Sequence, residues 1–324
     1  NMLNKKIIAL FLSLNYYYIK EGKNISTLEK CVDKDFEGRK IREYLKEEMG
    51  LSSRLIRGAA LDKRIIVNNE PVRMNYVLKA NDNILINLKK KESQNIEPEK
   101  IDIDIMYEDS DIIVVNKRPN MVVHPTKRYQ SGTLANALLY YFKETNQDCI
   151  VRLVSRLDMD TSGLIIIAKN QYAHMELSKD IQQNQIEKRY LALVHGHMDK
   201  MEGTIDKPIY RPEIEGNMKR VVDERGKRSI THYKVVERLN DADLVECLLE
   251  TGRTHQIRVH LSSLGHTIYG DSLYGFEEDA ILISRQALHA YGLNFKSPRT
   301  KESLELRAQL PDDIKLLLEN LRNK

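Results

Sequence analysis

The sequence predicts an α+β fold built on a mixed, mainly antiparallel sheet, and three observations carry that reading. Short strand patterns outnumber long helical ones and do not alternate with them in βαβ fashion. The apolar run Leu164, Ile165, Ile166, Ile167, Ala168 is short, continuous and rich in β-branched residues, which marks a strand covered on both faces. A charged stretch at 89–100, KKKESQNIEPEK, reads as a linker, so the main sheet is preceded by a smaller α+β unit.

Composition narrows the function. A chain of 324 residues can bury two cores. A net charge of +4 excludes an extended basic coat, so a surface for nucleic acid has to be local. Cys31, Cys149 and Cys247 lie far apart without metal-ligand spacing, which fits a reduced, cytoplasmic setting. His255 and His260 are wrongly spaced for one helical face and have no third ligand nearby, so no metal is expected. No nucleotide fingerprint or phosphate loop is present, and no cofactor is expected.

Taken in order, residues 1–33 are an extension without an assigned role. Two lysines precede the apolar run Ile7 to Leu14, a superficial likeness to a signal peptide, but no small-x-small site follows and the run is too short to span a bilayer. No membrane partner is expected. Residues 34–90 form the small unit. Ile41, Tyr44, Leu45 and Met49 share a helical face that Gly50 ends, and Ser52 or Ser53 caps a second helix. A strand Ile65 to Val67, a turn at Asn68 and Asn69, and a strand from Asn83 to Leu88 complete it. Residues 36–91 hold 13 Lys and Arg against 7 Asp and Glu, a balance of +6 that exceeds the whole chain's +4. Arg39, Lys40, Arg54, Arg57, Lys63 and Arg64 on short helices beside a small sheet suit phosphate contacts better than base reading. An ordinary solvated helix face is the alternative explanation.

After a linker at 91–101, residues 102–324 make the larger unit. Strands are predicted at Asp102 to Tyr107, Ile112 to Asn116 and Leu191 to Val194, with helices starting at Thr133 and spanning Gln171 to Gln185. Thr254 can cap a helix whose Ile257, Leu261 and Leu264 form an apolar stripe, while His255 and Arg258 share another side. Two strands and an amphipathic helix close the chain.

The candidate site lies at VRLVSRLDMDTSGLIIIA, residues 151–168, where charges lead into the covered strand. Most Asp residues in such a turn only bond its backbone, an explanation that suits Asp160 well and Asp158 less well. SRLDMDTSGL resembles the motif of the RluA-type pseudouridine synthases, and the Asp after Arg-Leu, catalytic in that family, falls on Asp158. Ser155 stands where the family more often has His. VVNKRPNMVVHP (114–125) resembles the family's opening motif, with Asn120 where Gly is common. Lys188, Tyr190, Ala192, Val194 and Gly196 match a further motif, whose Tyr lies against the target base. LLETGRTHQIRVHLSSLGHTIYGDSLYG (248–275) is similar to a third motif, with Thr267 in place of Pro. GRKIREYLKEEMGLSSRLIRGAALDKRIIVNNEPV (38–72) resembles the S-four-type RNA-binding domain, with Asn69 where Gly is usual.

The resemblance implies a pseudouridine synthase catalytic domain behind an RNA-binding domain, acting without cofactor on RNA, chiefly large-subunit ribosomal RNA; a monomer is expected. It implies Asp158, Tyr190 and Arg258 as the catalytic residues. Arg156 then fills the gap left by a flipped nucleotide, and Arg253 and His255 contact substrate. A non-catalytic ribosome-assembly factor with the same fold is the alternative, motivated by the basic small unit and by Ser155. A glycosidase ranks last, because it needs a second carboxylate at fixed separation.

Overall fold

A computed structural model describes residues 18–19, 27–88, 94–213 and 218–323. The apolar run Ile7 to Leu14 lies outside them. The first two described residues, Tyr18–Ile19 (β1), form one edge of the large sheet, in parallel with Tyr107 and Glu108.

The small unit is a four-stranded sheet of Thr27–Cys31 (β2), Ile65–Val67 (β3), Glu70–Pro71 (β4) and Asn83–Asn87 (β5), ordered β2-β5-β3-β4, with helices Ile41–Glu47 (α1) and Ser53–Leu61 (α2). Gly50 at φ +64 stops the first helix, and the Ser52 hydroxyl accepts from Leu55 N at the start of the second. Asn68 and Asn69 take φ of 49° and 72°, the two left-handed residues that a tight hairpin between β3 and β4 requires, so Asn serves where Gly is usual. Strand β2 begins before residue 34, the start read from the sequence. Leu28 and Val32 belong to the buried core, but a single apolar residue within the strand left no alternation to read.

The large sheet is α+β in character, mixed and mainly antiparallel. Its strands are Asp104–Glu108 (β6), Ile112–Lys117 (β7), Arg152–Leu153 (β8), Ser162–Ala168 (β9), Glu187–His195 (β10), Glu202–Asp206 (β11), Ile230–Arg238 (β14), Ala242–Leu249 (β15), Leu288–Lys296 (β16) and Ser303–Arg307 (β17), with a separate hairpin of Ile209–Tyr210 (β12) and Val221–Val222 (β13). The main path runs β1-β6-β7-β9-β16-β10-β15-β14-β11, and only β1/β6 and β9/β16 are parallel.

All of β9 is buried, as its unbroken apolar run predicts. Ile165 and Ile167 pack beneath helix Leu134–Glu144 (α3), while Leu164, Ile166 and Ala168 face the opposite core, against Ala173 and Leu177 of helix Gln171–Gln182 (α4). Helix α4 also serves the small unit. Tyr172 joins that unit's core, Met175 packs against it, and Ser52 N donates to the Met175 sulfur at 3.1 Å. Arg299 clamps the buried Asp111 with bonds of 2.7 and 2.9 Å and donates to the Thr27 carbonyl. The helix Asp312–Asn323 closes the far core with Ile314, Leu317, Leu318 and Leu321.

Candidate active site

Asp158 sits on the loop that enters β9, where Thr161 N donates to its main-chain carbonyl at 3.2 Å. That bond makes the turn, and not the Asp160 side chain as the sequence suggested. Asp160 Oδ1 is buried with no hydrogen-bond partner among the described residues, and the Asp160 carbonyl accepts from Arg285 Nη1 at 3.0 Å. The strand that follows the loop runs hard against its neighbour. Gly163 takes φ +115, and a Cβ there would stand 2.2 Å from the Ala290 carbonyl oxygen, so this close crossing of β9 and β16 admits only glycine.

The Asp158 carboxylate, 28% exposed, accepts from Arg258 Nη1 at 3.1 Å. Arg258 is itself 5% exposed and is gripped from behind by Asp271, whose carboxylate accepts from Nε at 2.6 Å and from Nη2 at 2.7 Å. Burial opposes the guanidinium's charge, but the two carboxylates, Asp271 foremost, hold it protonated beyond the ordinary arginine range. Asp271 is in turn held by Leu273 N and Tyr274 N at 3.0 and 3.1 Å. The forked guanidinium, anchored on Asp271, thus fixes a carboxylate a hundred residues before it in the chain.

Tyr190 lies within β10 and is buried. In register it forms one row with Gly163, Ala290 and Cys247, which places the two smallest side chains of the row between it and the β9 loop. Burial and the nearby negative charge of Asp158 push its hydroxyl pKa upward. The sheet has an irregularity between Arg189 and Tyr190, a device that re-aims a side chain at a strand end.

Helix Gln256–Ser262 (α5) begins differently from the sequence reading. His255, in the left-handed region at φ 58, is the first half-helical residue, and no side chain caps the turn. Thr254 does not cap it, and the Gln256 side chain folds back on the preceding turn, where its Oε1 accepts from Arg253 N at 3.0 Å and from the Thr251 hydroxyl at 2.8 Å. Ile257 and Leu261 are buried, whereas Leu264 is exposed beyond the helix end. His255 Nε2 lies 4.0 Å from Asp158 Oδ2, and its Nδ1 is 3.0 Å from the Tyr274 hydroxyl. The same hydroxyl accepts from Arg220 N, beside the β12–β13 hairpin, at 2.7 Å, and the Tyr274 ring lies 5.2 Å from the Arg258 guanidinium carbon. Burial, reinforced by Arg258 and Arg220, lowers the pKa of His255.

Lys117 at the end of β7 is fully buried and donates to the carbonyls of Arg118 at 2.8 Å, Met121 at 2.9 Å and Met159 at 2.8 Å. It thereby stitches the 117–121 loop to the Asp158 loop. Burial lowers its pKa to about 7 while Asp160 acts in the opposite sense.

The remaining residues singled out from the sequence divide. Arg156 is exposed two residues from Asp158. Arg253 is also exposed, and its Nε donates to the Arg228 carbonyl at 3.2 Å, while the contact with Asp158 is made by Arg258. Arg39, Lys40, Arg54, Arg57 and Lys63 are exposed on the small unit, with Arg39 3.5 Å from Glu47 and 3.6 Å from Glu48. Arg64 turns inward: its Nη1 donates to the Asn87 carbonyl at 2.7 Å and its Nε to Asp62 at 3.1 Å, so it braces the sheet. Sequence reasoning missed Lys117, Asp271, Tyr274 and Arg220. The first three lie inside quoted motifs, where a lysine ending an apolar strand and an Asp three residues before a Tyr were the available signals. Arg220 offered none.

Comparison with known proteins agrees with this architecture. A family model described as RNA pseudouridylate synthase matches residues 111–263. An uncharacterised RNA pseudouridine synthase of Bacillus subtilis (strain 168), YlyB, is 41% identical over 264 residues, covering 81% of this chain and 86% of that protein. The ribosomal large subunit pseudouridine synthase D of Nitrosomonas europaea is 36% identical over 309 residues, covering 93% of this chain and 89% of the other. Among solved structures, human RNA pseudouridylate synthase domain containing 1 is similar with a TM-score of 0.53 and 28% identity, over 71% of this chain and 98% of that one.

Proposed function

The chain belongs to the RNA pseudouridylate synthase family, and from that membership we propose that it isomerises uridines of RNA, those of large-subunit ribosomal RNA foremost, with Asp158 as the reacting carboxylate. The bond from ribose C1′ to uracil N1 breaks, the base turns, C5 joins C1′, and the C5 proton leaves while N1 takes up a proton from solvent. Asp158 acts at the sugar, either by attacking C1′ and dividing one hard step into two or by removing a ribose proton.

The observation that carries this reading is the chain Asp271–Arg258–Asp158: a buried guanidinium, anchored from behind, holds one partly exposed carboxylate at the rim of the sheet near Tyr190. Such anchoring keeps a nucleophile or base within a fraction of an ångström of its target. A stacked uridine cannot reach that rim, so it is flipped out at a cost of about a few kcal/mol. Exposed Arg156 beside Asp158 is suited to fill the vacated stack, Tyr190 to lie against the base, Arg253 to hold phosphate, and the basic small unit to grip flanking RNA by its backbone.

Ribosomal RNA carrying tritium at uridine C5 tests the proposal. The wild-type chain releases label, whereas Asp158→Ala binds the RNA equally well and releases none. No release by wild type from ribosomal or transfer RNA sinks the activity. Full complementation in cells by Asp158→Ala supports the assembly-factor alternative instead.

A further inference from the structure

His255 stands between a hydroxyl and a carboxylate. The Tyr274 hydroxyl accepts the Arg220 main-chain N–H at 2.7 Å and lies 3.0 Å from His255 Nδ1. With one lone pair engaged by Arg220, a Tyr274 hydroxyl that turns its hydrogen to Nδ1 leaves the ring's hydrogen on Nε2. The other end of the imidazole favours the same arrangement. Nε2 faces Asp158 Oδ2 at 4.0 Å, where a lone pair would meet a carboxylate and an N–H meets it favourably. Burial, opposed by Asp158 and aided by Arg258 and Arg220, lowers the pKa of the ring, and in the neutral form one nitrogen accepts and the other donates.

At 4.0 Å the N–H is beyond hydrogen-bond reach of the carboxylate, and it has no other acceptor among the described residues. A donor this close to the group that works on C1′ is close to uracil O2, three bonds from C1′ through N1 and C2. We propose that Tyr274 fixes His255 in the Nε2–H tautomer and that this N–H donates to a uracil carbonyl as the C1′–N1 bond breaks. The inference rests on the isomerisation proposed above. The electron pair of the broken bond passes to the uracil and spreads over N1, O2 and O4. Asp158 either forms a new bond to C1′ or takes a ribose proton, and no proton leaves His255. The hydrogen bond strengthens as the oxygen gains charge, which lowers the barrier. Tyr274 is a positioning residue, and through it the hairpin bearing Arg220 controls the polarity of the donor.

Single-turnover conversion of ribosomal RNA, together with RNA affinity, separates the outcomes. His255→Asn keeps a residue at home in the left-handed backbone and can still meet Tyr274, but it lacks a donor at the Nε2 position. It should lose about a hundredfold in rate, as for removal of one oxyanion donor, with affinity unchanged. His255→Gln, which restores an N–H near that position, should recover most of the loss. In the ring-nitrogen NMR spectrum of the free protein, His255 should carry hydrogen on Nε2, and Tyr274→Phe should mix the tautomers. Wild-type rates for His255→Asn, or hydrogen on Nδ1, overturn the inference and leave the activity standing. A wild-type chain that makes no pseudouridine overturns both.

Discussion

Arg258 has two carboxylate partners with different duties. Asp271 is fully buried, and its side chain has Arg258 as its cationic partner, whereas Asp158 is partly solvated. Removing the guanidinium therefore strands a buried charge, while removing Asp158 does not. Arg258→Ala should cost roughly 3–5 kcal/mol of stability, as for breaking a buried ion pair. Asp158→Ala should cost about 1 kcal/mol, the scale of a partly exposed pair. Urea denaturation of both variants measures the contrast, and equal losses would contradict it. The sequence pointed to Arg258 over Arg253 only through resemblance. It was silent on Asp271, because nothing local in a Gly-Asp-Ser turn tells that its carboxylate faces an arginine thirteen residues earlier.

Elements were more legible than the contacts between them. The run 164–168 announced a strand covered on both faces, and the Asn pair at 68–69 announced a left-handed turn, because both signals are local backbone chemistry. Strand β2 was not legible, since most of its stabilisation comes from pairing with β5, more than fifty residues away. The helix start at 254 was misread for a similar reason: Gln256 closes the turn with a side chain that propensity does not count as a cap. Lys117 shows how two elements are tied. Its pKa is lowered by burial to about 7, against about 10.4 for an exposed lysine. Between those values the unfolded chain holds a proton that the folded chain has released, so this group makes stability rise with pH from about 7 to about 10 and contributes no slope below. Lys117→Met lacks that slope. Urea midpoints at pH 7 and 9 should rise more for wild type than for the variant; an equal rise would mean that the three carbonyls keep the ammonium charged.

At the scale of the molecule, the small unit is docked as well as linked. Tyr172 and Met175 of α4 enter or line its core, and Arg299 bridges Asp111 to the Thr27 carbonyl. The charged stretch at 89–100 suggested two units and their order, but composition does not reveal whether a linker is slack or taut. Met175→Asp, which sets an unpaired charge into that contact, should release the small unit: the radius of gyration in solution scattering should increase and the linker should be cut faster by protease, with the catalytic unit still folded. Unchanged scattering would show that docking does not depend on this contact.

The glycine crossing at 163 and the lysine stitch at 117 together give Asp158 a backing that does not yield. When one party to an encounter is unyielding, the distortion falls on the other. RNA has to do the bending here, and sites where its helix already breathes, next to bulges or weak pairs, should be served fastest.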